Sequence, residues 1–178
     1  TAFEKKMASP ATIIEDEETE FDGGAGRPPY IPHNHDKEFQ GPTPIRKALG
    51  NSRNIPAVKM LEEIGVSALL DTMHRFGITS LNERGRYGLS LTLGGGEVRL
   101  LDLVYAYSVL ANGGEQVGAP VPEADRQPGH RVLKPIVITK IVDSSGEVIF
   151  EQQSARRERL ASEQNTWLIS DILSDDEA

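Results

Sequence analysis

Residues 41–59 read Gly41-Pro42-Thr43-Pro44-Ile45-Arg46-Lys47-Ala48-Leu49-Gly50-Asn51-Ser52-Arg53-Asn54-Ile55-Pro56-Ala57-Val58-Lys59. Thr43 followed by Pro44 predicts a helix start, a hydroxyl N-cap with proline at the first helical position. That short helix runs to Leu49, and Gly50 ends it. Asn51-Ser52-Arg53-Asn54 is a polar turn, built of residue types that favour turns. Ile55-Pro56 opens a second helix, where proline is tolerated because the first-turn amides have no intrahelical partner. Ile55, Val58, Leu61 and Ile64 recur at helical spacing, and Gly65 stops the run.

Upstream, residues 10–42 are punctuated by Gly23-Gly24, Gly26, Pro28-Pro29, Pro32 and Gly41-Pro42, which predicts an extended, turn-rich connection. Ile13-Ile14 and Phe21 are its expected anchors to a core. Downstream, Ser67 is the expected cap of a helix through Leu69, Leu70, Met73 and Phe76, ending at Gly77. Leu89-Ser90-Leu91-Thr92-Leu93 alternates and predicts a short strand or extended segment. After Gly94-Gly95-Gly96, Glu97 leads a helix with Val98, Leu101, Leu103, Val104, Tyr107 and Leu110. Its apolar residues lie on more than one face, which predicts a central position. Residues 115–132 read as a polar loop. Ile136–Val142 and Glu147–Phe150 flank Asp143-Ser144-Ser145-Gly146, a hairpin signature. Ser162-Glu163-Gln164 opens a last helix, with Trp167 expected in the core.

The 178 residues carry a formal charge of −8 and no cysteine. The acidic balance argues against nucleic acid as a partner, since binders present a basic face. Disulfides and thiolate chemistry are excluded. No run of about 18 apolar residues exists to span a membrane. Glu15-Asp16-Glu17-Glu18 and Asp175-Asp176-Glu177 read as solvated surface. The chain begins Thr1-Ala2-Phe3-Glu4, without Met, as a cut boundary would.

Several stretches, in order, resemble the transpeptidase domain of bifunctional (class A) penicillin-binding proteins. Ser9-Pro10-Ala11-Thr12-Ile13-Ile14-Glu15-Asp16 is similar to the segment after that family's nucleophile helix. Tyr30-Ile31-Pro32-His33-Asn34 is similar to its Y-x-P-x-N stretch. Residues 41–59 resemble the helix and turn that carry its second active-site motif. Leu91–Val98 resembles L-x-L-G-x-x-E-V, and Ala106-Tyr107 to Ala111-Asn112-Gly113-Gly114 its A-Y-x-x-x-A-N-G-G helix end. The resemblance implies an α/β (α+β) fold, penicillin-binding transpeptidase or serine β-lactamase-like, present as a helix-rich piece with an incomplete sheet. It implies serine acyl transfer on D-Ala-D-Ala stem peptides of peptidoglycan, with β-lactams as inhibitors of the intact parent.

In such enzymes a serine attacks the peptide carbonyl and a lysine manages its proton. A second-motif serine and asparagine complete the proton path and hold the substrate amide, and a lysine-threonine-glycine strand positions the substrate. The resemblance makes Ser52-Arg53-Asn54 the second motif. Ser52 would relay a proton between the lysine and the leaving amine, and Asn54 would bond the peptide and orient the lysine. With one residue between them on a tight turn, Ser52 and Asn54 can project into one cleft while Arg53 points elsewhere. No serine has a lysine three residues on, and no lysine precedes Ser/Thr-Gly. The expectation is therefore a partial domain over residues 1–178. The nucleophile motif would lie upstream and the lysine strand downstream, or a second fragment would complete the site. The isolated chain is expected to be inactive. The parent would lie outside the cytoplasm, held to the membrane only through an N-terminal segment absent here.

Competing readings are weaker. His33-Asn34-His35-Asp36 lacks a third histidine or thiolate for a metal, and reads as a polar loop at the cleft entrance. Gly94-Gly95-Gly96 lacks a phosphate-loop context, and Glu97 would repel an anion, so the glycines suit a tight turn close to the core. Thr1 lacks the strand pattern of an N-terminal threonine nucleophile. No cofactor is implied. A non-catalytic penicillin-binding-like interaction or sensor module is the alternative function, and an altered Ser-x-x-Lys would mark it.

Overall fold

The computed structural model describes residues 1–24, 26 and 28–176. β1 (Ile13–Asp16) pairs antiparallel with β2 (Gly41–Pro44), with Ile14 opposite Thr43 and both buried. Thr43 is therefore a strand residue, where the sequence predicted a cap. Its extended pairing with Ile14 outcompetes capping, and α1 (Ile45–Gly50) starts after an extended Pro44 without a side-chain cap. Ile45 N instead donates to Thr12 O at 2.9 Å, and Arg46 N to Pro10 O at 2.9 Å.

α2 (Asn54–Ile64) buries Ile55, Pro56, Val58 and Leu61, the face predicted from spacing. Gly65 turns the chain directly into α3 (Val66–Phe76), one residue before the expected Ser67 cap. Leu61 and Leu70 meet Ile78, Leu81 and Leu91 in the main apolar cluster. Each such side chain, fully buried, contributes about 1.5–3 kcal/mol.

Leu89–Leu93 is a 3-10 turn, not the expected strand. Its amides close locally, Leu91 N on Gly88 O and Gly94 N on Leu91 O, so that Leu91 drops into the cluster. The glycine run then passes close to the core, as expected. A Cβ on Gly96 would lie 2.8 Å from Leu91 Cδ1, and one on Gly95 2.8 Å from Ser90 O.

α4 (Leu100–Ala111) begins three residues later than Glu97. It is not central among the described residues. Only Asp102, Tyr105 and Val109 are buried, while Leu100 is 77% and Tyr107 60% exposed. Residues 115–132 are not all loop. β3 (Glu115–Pro120) is the middle strand of an antiparallel sheet, between β4 (Leu133–Lys134) and β7 (Arg156–Arg159). The hairpin joins β5 (Lys140–Val142) to β6 (Val148–Glu151), shorter than predicted. Asp143 Oδ1 ties its turn by accepting from Ser145 N and Glu147 N. α5 (Glu163–Leu173) is capped by Ser162, whose Oγ accepts from Asn165 N. Trp167, expected in the core, is 63% exposed; the buried positions of α5 are Thr166 and Ile172. No helix among the described residues is long and apolar enough to cross a membrane.

Candidate active site

The turn between α1 and α2 consists of Asn51, Ser52 and Arg53. Asn51 N and Ser52 N close back onto Lys47 O and Leu49 O, and Arg53 N onto Ala48 O at 2.9 Å. To make that turn Ser52 takes a left-handed backbone, φ 54°. L-residues other than Gly, Asn and Asp rarely hold this conformation, at a cost of roughly 1–2 kcal/mol. Ser52 is exposed, and its hydroxyl forms no hydrogen bond among the described residues.

Arg53 turns the other way, inward, and is buried. Its Nε donates to Asp16 Oδ2 at 2.8 Å and Nη1 to Asp36 Oδ2 at 2.6 Å, while Nη2 donates to Glu38 O. Asp16 is fully buried and also accepts from Asn34 Nδ2 at 2.7 Å and Gln40 N at 3.2 Å. Burial opposes the Arg53 charge, but the bonds to Asp36 and Asp16 outweigh it and raise its pKa. The Glu38 amide, then Arg53, hold Asp36 below the ordinary carboxylate value.

Asn34 connects this buried cluster to the helix. Its Oδ1 accepts from Asn54 N at 2.9 Å and from Ile55 N at 3.4 Å, capping α2 from another segment. No residue adjacent to the helix does so, and first-turn amides need an acceptor. Asn54 Nδ2 in turn donates to His33 O at 2.8 Å. This leaves Asn54 Oδ1 free to accept. The result is a turn that exposes Ser52, followed by a half-buried Asn54 that opens α2, both held by Asp16, Asn34 and Arg53.

Of the site residues singled out in the sequence, Ser52 thus sits on the turn and Asn54 opens α2 directly after it, with Arg53 between them directed inward. Four supporting residues were missed. Asp16 belongs to a run read as solvated surface, yet the alternation of β1 puts it on the buried face with Ile14. Asn34 and Asp36 were read as a loop lining the cleft, but Asn34 is a buried hub. Asp175, also read as solvated, joins Asp171 in clamping Arg46 and so fixes α1 against α5. Glu177 lies outside the described residues. No group of three or more His, Cys, Asp or Glu among the described residues could hold a metal.

The family model "Penicillin binding protein transpeptidase domain" matches residues 1–177. Penicillin-binding protein 2D of Bacillus subtilis is 31% identical over 153 residues, 85% of this chain and 19% of that protein. Penicillin-binding protein 1A of Aquifex aeolicus is 32% identical over 151 residues, 85% of this chain and 18% of that protein. The chain therefore spans about a fifth of these relatives' length. Among solved structures, penicillin-binding protein 1A of Haemophilus influenzae superposes with a TM-score of 0.73 at 19% identity, over 96% of this chain and 28% of that one. PonA1 of Mycobacterium tuberculosis, solved in complex with penicillin V, gives 0.67 at 21% identity over 96% and 42%. The α+β fold of these domains is the fold seen here, and the chain belongs to the penicillin-binding protein transpeptidase domain family.

Proposed function

We propose that this chain supplies the Ser-x-Asn wall of a serine acyl-transfer cleft acting on the D-alanyl-D-alanine end of peptidoglycan stem peptides. The supporting observation is the Ser52 turn. A serine is held in an unfavourable left-handed backbone, with an unpartnered hydroxyl, over a buried ionic anchor. Strain of this kind persists only where the surroundings enforce it, and it concentrates at functional sites.

In this reading a serine nucleophile attacks the penultimate D-Ala carbonyl, and its proton passes to a neighbouring lysine. Ser52 Oγ relays that proton to the departing D-Ala amine as the C–N bond breaks. Asn54 Oδ1 accepts from the lysine ammonium or the bound peptide N–H. An amine of a second peptide then attacks the acyl-enzyme and restores the serine. The 178 residues contain no Ser-x-x-Lys. The nucleophile and its lysine are therefore assigned to sequence outside them, and the domain to the outer side of the cytoplasmic membrane. β-Lactams would acylate the same nucleophile.

The test is intact mass and fluorescent-penicillin labelling of two species: this chain alone, and a protein in which it is joined to the Ser-x-x-Lys segment. The joined protein should label and the chain alone should not. Ser52→Gly should abolish labelling while stability stays within about 1 kcal/mol, since relief of strain offsets the added backbone freedom of glycine. A stable adduct on the chain alone, or full labelling of Ser52→Gly, would overturn the assignment.

A further inference from the structure

The Asn34 amide is occupied at both ends, and the pattern of its contacts fixes which way it points. Nδ2 donates to Asp16 Oδ1 at 2.7 Å and to Glu38 O at 2.9 Å. Oδ1 accepts from Asn54 N at 2.9 Å and from Ile55 N at 3.4 Å. A flipped amide would set its oxygen against a carboxylate and a carbonyl, and its NH2 against two backbone amides, so one orientation alone satisfies all these partners. Asn34 is 3% exposed, so water does not replace a partner that is lost.

The residue before it holds the same target. His33 O accepts from Asn54 Nδ2 at 2.8 Å. Two consecutive residues therefore grip Asn54, one at the main chain and one at the side chain. The side-chain grip turns the Asn54 NH2 toward the protein and leaves Oδ1 as the acceptor for a substrate or lysine N–H. The grip is closed underneath. Asp16, which Asn34 holds, also accepts from Arg53 Nε at 2.8 Å, and Arg53 is joined to Asn54 by a peptide bond. Asn54, Asn34, Asp16 and Arg53 thus form a ring of polar contacts completed by a covalent link. The segment carrying Asn34 is closed as well. Lys37 N donates to Asn34 O at 3.0 Å, in a turn that holds Lys37 at φ 63°.

We propose that Asn34 is a positioning residue for the acyl transfer, setting the orientation of Asn54 through the Asn54 main chain and the buried Asp16–Arg53 pair. It is buried and acts through Asn54, without touching the reacting atoms. The proposal rests on the acyl-transfer reading above and adds to it the group that sets the geometry of Asn54. A displacement of about 1 Å at a group that holds substrate costs up to ~100-fold in rate, which sets the scale of the effect.

The experiment is a double-variant cycle in the full-length protein, read as the acylation rate constant with fluorescent penicillin. Asn54→Ala should slow acylation on the order of 100-fold. Asn34→Ala should slow it roughly 10- to 100-fold. In the Asn54→Ala background, Asn34→Ala should cost less than ~3-fold further, because the group it positions is gone. Rates are compared at equal folded fraction, measured by circular dichroism. Asn34→Ser repeats the cycle if the alanine variant does not fold at the assay temperature. A purely structural asparagine would cost the same factor in both backgrounds. That result, or a wild-type rate in folded Asn34→Ala, would overturn the proposal. A wild-type rate in Asn54→Ala would instead refute the acyl-transfer role of Asn54 on which the proposal rests.

Discussion

Arg53→Ala removes the only cation paired, among the described residues, with the fully buried Asp16 carboxylate, and the structure sets the size of the effect. Asp36 is half-exposed and recovers water when the guanidinium leaves. Asp16 has no such recourse: at 0% exposure it keeps only Asn34 Nδ2 and Gln40 N. Stranding one member of a buried pair costs about 3–5 kcal/mol. For a domain of this size that lowers the Tm by roughly 6–20 °C. Urea denaturation should show a lower midpoint at unchanged slope. Asp16→Asn in the Arg53→Ala background neutralises the stranded charge, so the double variant should be at least about 1–2 kcal/mol more stable than the sum of the single losses. Additive losses, or an Arg53→Ala cost under about 1 kcal/mol, would mean the cluster is solvated and does not anchor the Ser52 turn.

His74 should make stability fall with acid. Its ring is buried, stacked on His130 at 4.2 Å between centroids, and Nε2 meets Leu81 O at 2.9 Å. Burial lowers its pKa; the Leu81 carbonyl opposes this, and His130 and Arg84 add to it. A depressed folded value means the neutral ring stabilises the fold fully above about pH 6.5, and that contribution is lost as pH falls through the folded value. His74→Phe should flatten the stability profile between about pH 7 and pH 5, and an unchanged slope in denaturation midpoints would exclude His74 as its source. Gly118→Ala should cost about 2–4 kcal/mol, because its Cβ would strike Lys134 O and come within 2.5 Å of Tyr105 Oη. A midpoint shift equivalent to under about 0.5 kcal/mol would show that β3 and β4 can separate freely there.

The helices around the site were legible because their signals are local. The spacing of Ile55, Val58, Leu61 and Ile64 marks one face, and Gly65 and Gly77 mark ends. The sheet was not. β3 turns Gln116 and Gly118 inward, so its alternation carries no hydrophobic signal. β7 reads Arg156-Arg157-Glu158-Arg159, an edge strand whose charges hide it. Trp167 and the outer face of α4 were misplaced because apolar character alone cannot say whether a neighbour is there to cover it.

The sequence by itself determined the polar turn between two helical patterns, and its resemblance to the family put forward Ser52 and Asn54 as the candidate pair. Only the tertiary structure decided why that turn holds its shape. Asp16, Asn34 and Asp36 come from segments 17 to 37 positions away from the residues they hold. Their worth depends on burial, which no local pattern encodes: the same carboxylate that would be ordinary in water becomes, beneath Arg53, the charge that fixes the site.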